Sequence, residues 1–236
     1  MQFIFQPIGL VRSCFLDKFG VPRQPGLAPA ARGELWLLPP YDRREAFVGL
    51  EAFSHLWLIF VFHHIPARAW QPTVRPPRLG GNRRLGVFAT RSTHRPNPIG
   101  LSVVRFEGIV DDDQGLRLRL AGVDLVDGTP VLDIKPYVPY ADSLLEASGG
   151  FAETAPEPLP VRFSEQAEAQ CRDYEARSGR ELRLLIEQVL ALDPRPAYQR
   201  DPERLYGVRL WELDVRWRVV VEAGSEEVRV EAIVPA

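Results

Sequence analysis

From Phe3 to about Val138 the apolar residues come in short runs, broken by polar ones and rich in β-branched and aromatic side chains. Phe3 to Val11, Gly33 to Leu38, His55 to Phe62, Leu85 to Thr90, Leu101 to Val110, Leu116 to Leu120 and Val131 to Ile134 each read as a strand. Gly, Pro and Asp punctuate them. Asp111-Asp-Asp-Gln-Gly115 and Asp127-Gly128 supply residues that tolerate positive φ, which predicts two hairpin turns. Short strands without long intervening helices predict an antiparallel sheet, most easily closed as a barrel, and disfavour a doubly wound one.

After Tyr140 the pattern changes. Ala155-Pro-Glu-Pro-Leu-Pro160 resists both helix and sheet, so a boundary is placed beside it, with a β-barrel unit over residues 1–150 and a smaller α+β unit over 160–236. Phe163 to Arg177 and Ser178 to Leu192 read as helices. Leu182, Leu185, Ile186, Val189 and Leu190 share one stripe of the second, and Ser178 with Glu181 forms a capping box at its start. Gly207 to Leu213, Val215 to Val221 and Glu227 to Val234 then make a three-stranded meander. The expected class is mainly β.

Composition narrows the picture. The chain has 236 residues, of which 45% are apolar, enough for a substantial core. The N-terminal residues lack the basic start and apolar stretch of a secretory signal, and no run is long enough to span a bilayer. Cys14 and Cys171 are far apart, without metal-ligand or redox spacing, so neither a disulfide nor a cysteine-bound metal is expected. A cytoplasmic location follows from these readings.

The formal net charge is only -2, yet the stretch from Ala52 to Phe106 holds eight arginines, all four histidines and no acidic residue. Such segregation predicts a local anion-binding surface. Within it, Arg91, His94, Arg95 and Asn97 crowd a loop stiffened by Pro96 and Pro98 and released at Gly100. Pro22-Arg23-Gln24-Pro25 likewise presents a cation and an amide on a fixed backbone, suited to a carboxylate and an adenine edge or to an ordinary turn. His63 and His64 end a strand, where adjacent side chains point to opposite faces, so no shared metal is expected there. Val131, Asp133, Lys135 and Tyr137 fall on one face of an extended segment, as an acid–base group or as a structural ion pair.

Three blocks carry a family resemblance: Val21-Pro-Arg-Gln-Pro-Gly26, Ala89-Thr-Arg-Ser-Thr-His-Arg-Pro-Asn-Pro-Ile-Gly-Leu101 and Asp124-Leu-Val-Asp-Gly-Thr-Pro-Val-Leu-Asp-Ile-Lys-Pro-Tyr137. They closely resemble the signature blocks of the TrmO/TsaA-like family. Asp193-Pro-Arg-Pro-Ala-Tyr198 and Asp214-Val-Arg-Trp-Arg218 resemble its bacterial C-terminal domain. The resemblance implies a homodimeric β-barrel methyltransferase that uses S-adenosylmethionine. It further implies that N6 of threonylcarbamoyl-adenosine, next to the anticodon of threonine tRNAs, receives the methyl group. No Gly-x-Gly-x-x-Gly follows any expected strand, and the resemblance implies a cofactor site built without one.

By that resemblance Pro22, Arg23, Gln24, His63, His64, Arg91, Leu101, Val123, Asp124, Leu125 and Val126 lie against the cofactor. Arg95 and Asn97 hold the modified nucleoside or its phosphate, with Arg95 the first choice for the threonyl carboxylate because a guanidinium binds carboxylates bidentately. Arg83 and Arg84 are expected on the tRNA backbone. The acceptor nitrogen is part of a urea and needs help losing its proton, so Asp133 is the first candidate base and Tyr137 the second, with Lys135 tuning either. In the C-terminal unit Arg195, Arg200, Arg204, Arg209, Arg216 and Arg218, interleaved with Tyr198, Tyr206, Trp211 and Trp217, form a candidate tRNA contact. Trp211 and Trp217 are read in preference as that unit's own core. Two rival classes stand beside this one: a non-catalytic RNA- or nucleotide-binding barrel, and a metal-dependent hydrolase using His63, His64 and Asp133.

Overall fold

The structure, a computed structural model, describes residues 3–66, 70–196, 201, 204–222 and 224–236. In chain order its strands and helices are β1 Gly9–Ser13, β2 Arg32–Leu37, β3 His55–Val61, β4 Thr73–Val74, β5 Leu85–Gly86, β6 Ile99–Asp112, β7 Gly115–Ala121, β8 Pro130–Pro136, α1 Pro139–Asp142, β9 Val161–Phe163, α2 Glu165–Ser178, α3 Leu182–Ala191, β10 Tyr206–Leu210, β11 Leu213–Glu222 and β12 Ser225–Pro235. Six strands close a barrel in the order β1-β2-β7-β6-β3-β8, with β8 returning to β1. All of its pairings are antiparallel. The alternation in the sequence is the cause. Val11, Leu35, Leu56, Leu58, Val104, Leu118, Leu120 and Val131 point inward and are buried, so each strand has one apolar face for a shared interior.

β6 spans two neighbours. Its first half pairs with β3 and its second with β7, and the register shifts between Phe106 and Gly108, where Gly108 has φ 124°. Such a bulge bends a long strand around a barrel corner. Gly100, opposite Phe60 in the β3–β6 pair, is needed for a different reason. A Cβ there would stand 2.2 Å from Cζ of the Phe60 ring.

Several local expectations are corrected. The first strand begins at Gly9 instead of Phe3, and Phe3, Ile4 and Phe5 are exposed. Pro7 lacks an N–H, so a ladder cannot continue through it. Only Leu85–Gly86 of the 85–90 run is strand, followed by a 3-10 turn over Val87–Ala89. Asp127-Gly128 does turn the chain, but β7 and β8 are not paired across it. Ser178 does not cap α3. Its hydroxyl donates to the Tyr174 carbonyl at 2.8 Å, inside the end of α2, and Gly179 with φ 68° stops that helix. The side-chain cap sits at the start of α2 instead, where Ser164 accepts from the Ala167 N–H at 3.0 Å.

The C-terminal sheet has four strands, in the order β10-β11-β12-β9, not the expected three. The added strand, β9, lies parallel to β12. Trp217 is fully buried and stacks on Tyr206 at 4.8 Å, and Trp211 stacks on Tyr174 at 6.2 Å, so both tryptophans serve the core as the sequence suggested. This sheet meets the barrel directly. Phe15 bridges Leu210 and the Trp211 N–H donates to the Cys14 carbonyl at 2.8 Å, while on α3 the Gln188 side chain accepts from the Ala30 N–H at 2.7 Å. One contiguous apolar cluster therefore runs from the barrel through α3 to β11 and β12.

Candidate functional site

Four chain segments meet at one end of the barrel wall and enclose a cleft of about 530 Å³. They are the loop Lys18–Gln24, the end of β3 with the turn after it, the run from Thr90 into β6, and the loop from Asp124 to Thr129. Each is held by local chemistry. The Gly26 N–H donates to the Gly122 carbonyl at 2.9 Å. A Cβ on Gly122, whose φ is 69°, would stand 3.2 Å from Gly26, so two glycines let these loops touch. The Ser13 hydroxyl donates to the Leu125 carbonyl at 2.7 Å and the Ser13 N–H to Asp127 at 2.9 Å. Asp127 is thus spent on the loop's own shape. The Phe62 N–H donates to the Pro98 carbonyl at 2.8 Å and ties the histidine turn to the proline-stiffened loop.

Most sequence candidates converge here. Pro22, Arg23, Gln24, His63, His64, Arg91, Leu101, Asp124, Leu125, Val126 and Arg95 all line the cleft. Arg91 donates to the Gln24 side-chain oxygen, joining two of the signature blocks. Arg95 donates to the Thr90 carbonyl at 2.8 Å and lies over the Phe88 ring at 5.6 Å, so its guanidinium is set in place before any ligand arrives. His63 and His64 are not on opposite faces of a strand, because β3 ends at Val61 and both fall in the turn beyond it. Their ring centroids are 4.1 Å apart. Burial, and then the neighbouring His64, hold the His63 pKa below its ordinary value, favouring the neutral ring.

The charge pattern of this cleft is one-sided. Lys18, Arg23, Arg91 and Arg95 line it, and Asp124 is the single carboxylate among the described residues there. Burial pushes the Asp124 carboxyl up to about 6, against the opposing pull of the Ser102 hydroxyl and the Arg91 charge. Its Oδ1 is buried without a hydrogen-bond partner among the described residues. A buried, unsatisfied carboxylate oxygen costs free energy unless something cationic or hydrogen-bonding meets it.

Other candidates lie elsewhere. Val123 is fully buried and packs beside Gly33 instead of lining the cleft. Asn97 is exposed and outside it, its carbonyl accepting from the Ile99 N–H at 2.7 Å. Arg83 and Arg84 are exposed, with Arg84 on the Thr73 hydroxyl at 3.1 Å. Asp133 and Lys135 form a half-exposed ion pair at 2.8 Å on the outer wall and line neither this cleft nor its neighbour. A bulge parts them from the face of Val131. Ile59 pairs with Asp133 but Phe60 pairs with Val131, so Leu132 is extra, and Val131 faces the interior while Asp133 faces out. Tyr137 lies beyond that pair and lines the second cleft. The three residues of the hydrolase reading do not come together, and the described residues hold no cluster of three or more His, Cys, Asp or Glu suited to a metal.

Arg195 is also corrected. It is only 7% exposed and is held by Asp193 at 2.7 Å and Glu226 at 2.9 Å, which makes it a structural cation instead of an RNA contact. Arg216 and Arg218 pair with Asp214 and Glu231, Arg204 lies over the Tyr206 ring, and Arg209 is exposed. Arg200 and Tyr198 lie outside the described residues. Sequence reasoning missed Lys18, whose Nζ donates to the His64 carbonyl at 2.8 Å, and also Ser102 and Trp57. For Trp57 a signal existed. β3 is apolar on both faces, and on a single-layer wall the outer face of such a strand must be covered or used.

The comparisons with known proteins decide the family. Residues 10–143 match the profile of the tRNA-methyltransferase O N-terminal domain, and residues 156–236 match that of the TrmO C-terminal domain. The chain belongs to the TrmO family. It is 53% identical to the tRNA (adenine(37)-N6)-methyltransferase of Escherichia coli, over 95% of this chain and 96% of that protein. A Pseudomonas aeruginosa protein with the provisional name S-adenosylmethionine-dependent methyltransferase RcsF is 59% identical over 92% of this chain and 93% of its own length. A crystal structure of TrmO from Pseudomonas aeruginosa superposes with a TM-score of 0.82 at 49% identity, covering 99% of each chain.

S-adenosylmethionine is the cofactor of this TrmO-family chain, and the cleft fits it. The molecule carries two positive centres and one carboxylate. The unpartnered oxygen of Asp124 suits the first kind of charge, and the guanidinium of Arg23 or Arg91 the second. Trp57, Phe62, Ile99 and Leu101 offer apolar walls to an adenosyl group.

Proposed function

We propose that this TrmO-family chain methylates N6 of threonylcarbamoyl-adenosine next to the anticodon of threonine tRNAs, as a cytoplasmic homodimer. The observation that carries the reading is the convergence of Pro22–Gln24, Arg91, Arg95 and Asp124–Val126 on one cleft, in a chain whose relatives act on adenine 37 of tRNA at N6. The assigned cofactor residues are those lining the cleft. When bound, S-adenosylmethionine supplies an electrophilic methyl group. The protein's own task is alignment, because such a transfer disperses charge instead of creating it.

Arg95 meets the threonyl carboxylate. Its preset guanidinium loses little freedom on binding, and a planar fork matches a carboxylate. Of the three acid–base candidates, Tyr137 is the one that lines a cleft, so its phenolic oxygen takes the role ahead of Asp133 and Lys135. Arg83 and Arg84, both exposed, suit phosphates of the anticodon arm. The division of labour follows the chain: residues 1–150 carry the transfer, and residues 160–236 buttress the barrel and add RNA contacts through exposed groups such as Arg209.

The test is methyl transfer from labelled S-adenosylmethionine to threonine tRNA prepared with and without the threonylcarbamoyl group. Incorporation into the modified tRNA alone is expected. Equal incorporation into both would remove the carboxylate from the recognition, and none into either would leave a binding module.

A further inference from the structure

Beside the cofactor cleft lies a second one of about 460 Å³, lined by Pro25, His55, Trp57, Arg91, Leu101, Val103, Tyr137 and Asp142. Trp57, Arg91 and Leu101 belong to both clefts and form the rim between them. We propose that this second cleft is the acceptor-base subsite, taking a purine ring against Trp57 and Tyr137 so that, across the Trp57–Leu101–Arg91 rim, the methyl–N6 bond forms as the methyl–sulfur bond breaks, the thioether product staying in the first cleft and the N6 proton leaving to the base beside the acceptor. The proposal rests on the methyltransferase reading above and adds where the acceptor sits.

Three observations carry it. Methyl transfer requires two ligands with their reacting atoms in near contact, and two clefts with a common rim provide that, each within the size range of small-molecule sites. The walls are aromatic. Tyr137 lies 6.0 Å from Trp57 and 6.3 Å from His55, centroid to centroid, and its N–H donates to the His55 carbonyl at 2.9 Å, which fixes the group on the β3–β8 wall. Finally, this wall is apolar where solvent would otherwise wet it. Leu101 is 53% exposed and continues the stripe of Trp57, Ile59 and Val103, while Arg91, held by the Gln24 side-chain oxygen, stands on the rim shared with the first cleft. Stacking on such rings tolerates a modified purine, because every base presents a π face.

The experiment uses the full chain and an anticodon stem–loop RNA carrying fluorescent 2-aminopurine at the acceptor position. Wild-type protein is first checked for methyl transfer to modified tRNA, which tests the methyltransferase reading separately. Fluorescence quenching then reports acceptor binding, and equilibrium binding of S-adenosylmethionine reports the cofactor cleft. Tyr137→Ala and Tyr137→Leu are expected to weaken acceptor affinity roughly tenfold with cofactor affinity unchanged. Tyr137→Phe keeps the ring and should keep acceptor affinity, whatever the loss of its hydroxyl does to turnover. Unchanged quenching and affinity in Tyr137→Ala, in a protein whose wild type transfers methyl groups, would overturn the subsite. So would a parallel shift from dimer to monomer in Tyr137→Ala and Tyr137→Leu, which would make the cleft a subunit contact. A wild type that transfers no methyl group would overturn the underlying reading as well.

Discussion

In the C-terminal unit Arg195, Arg216, Arg218 and Arg229 each meet a carboxylate, at distances between 2.6 and 2.9 Å. In the acid-free segment of the barrel, Arg91 meets an amide oxygen and Arg95 backbone carbonyls, and among the described residues no arginine of that segment is in an ion pair. The same side chain serves two ends. A guanidinium that already has its counter-ion contributes to the fold and offers little to a ligand, whereas one held by neutral oxygens keeps its full charge for an incoming anion. Counting arginines therefore says little about RNA binding until their partners are known.

Substitutions on the two sides should separate accordingly. Arg91→Ala removes the cation at the rim of both clefts and should lower kcat/KM by about a hundredfold, with a thermal midpoint close to that of the wild type. A large fall in thermal midpoint instead would place Arg91 with the structural arginines. Arg195→Ala should do the reverse. It strips the shared partner from Asp193 and Glu226, both partly solvated, and should cost about 2 kcal/mol in denaturant unfolding while leaving turnover per folded molecule intact. A drop in tRNA affinity with a shallower salt dependence would instead return it to the RNA contacts.

Asp124 sharpens the comparison from the acidic side, since it is the one carboxylate among the described residues lining the first cleft and pairs with no described cation. Its pKa is raised from an ordinary 3.8 to about 6, so the folded protein holds this proton where the unfolded chain has lost it. Stability contributed by the neutral form is present at low pH and falls as pH rises from about 4 to about 6. Cofactor affinity should move the opposite way, growing by about tenfold as the carboxylate ionises through pH 6. Asp124→Asn should flatten both profiles, raising stability above pH 6 and weakening cofactor binding; a binding profile that keeps its wild-type slope would dissociate Asp124 from the cofactor's positive charge. The smallest effect belongs to Asp133→Asn. An exposed ion pair contributes roughly 0–1 kcal/mol, so single-turnover methylation should stay near the wild-type rate. A collapse of that rate would restore Asp133 as the base.

The barrel was legible because its signal is local. Residues two apart on a strand share a face whatever lies far away, and the buried alternation of Leu56, Leu58 and Phe60 follows from that alone. That the signature blocks meet was expected for another reason, since those long blocks could be matched as they stand. What failed did so where one residue of register or one partner decides. Leu132, as a bulge, turned Asp133 away from the face of Val131. Val161–Phe163 is too short to announce itself as a strand, and its partner in β12 lies far along the chain. Ser178 has the residue type of a helix cap but sits within the last turn of the preceding helix.

By itself the sequence determined the alternating faces of regular strands such as β3, the mainly β class, the loops built on Pro22–Pro25 and Arg91–Gly100, and the separation of acid from base between Ala52 and Phe106. These depend on residue type and spacing, which the chain carries before it folds. Only the tertiary structure decided which arginines are neutralised, that Asp124 is buried with an oxygen left unpaired, and that Trp57, Arg91 and Leu101 divide one cleft from another. Charge, burial and shared walls are properties of neighbours, and barrel closure alone makes neighbours of Gln24, Trp57, Arg91 and Asp124.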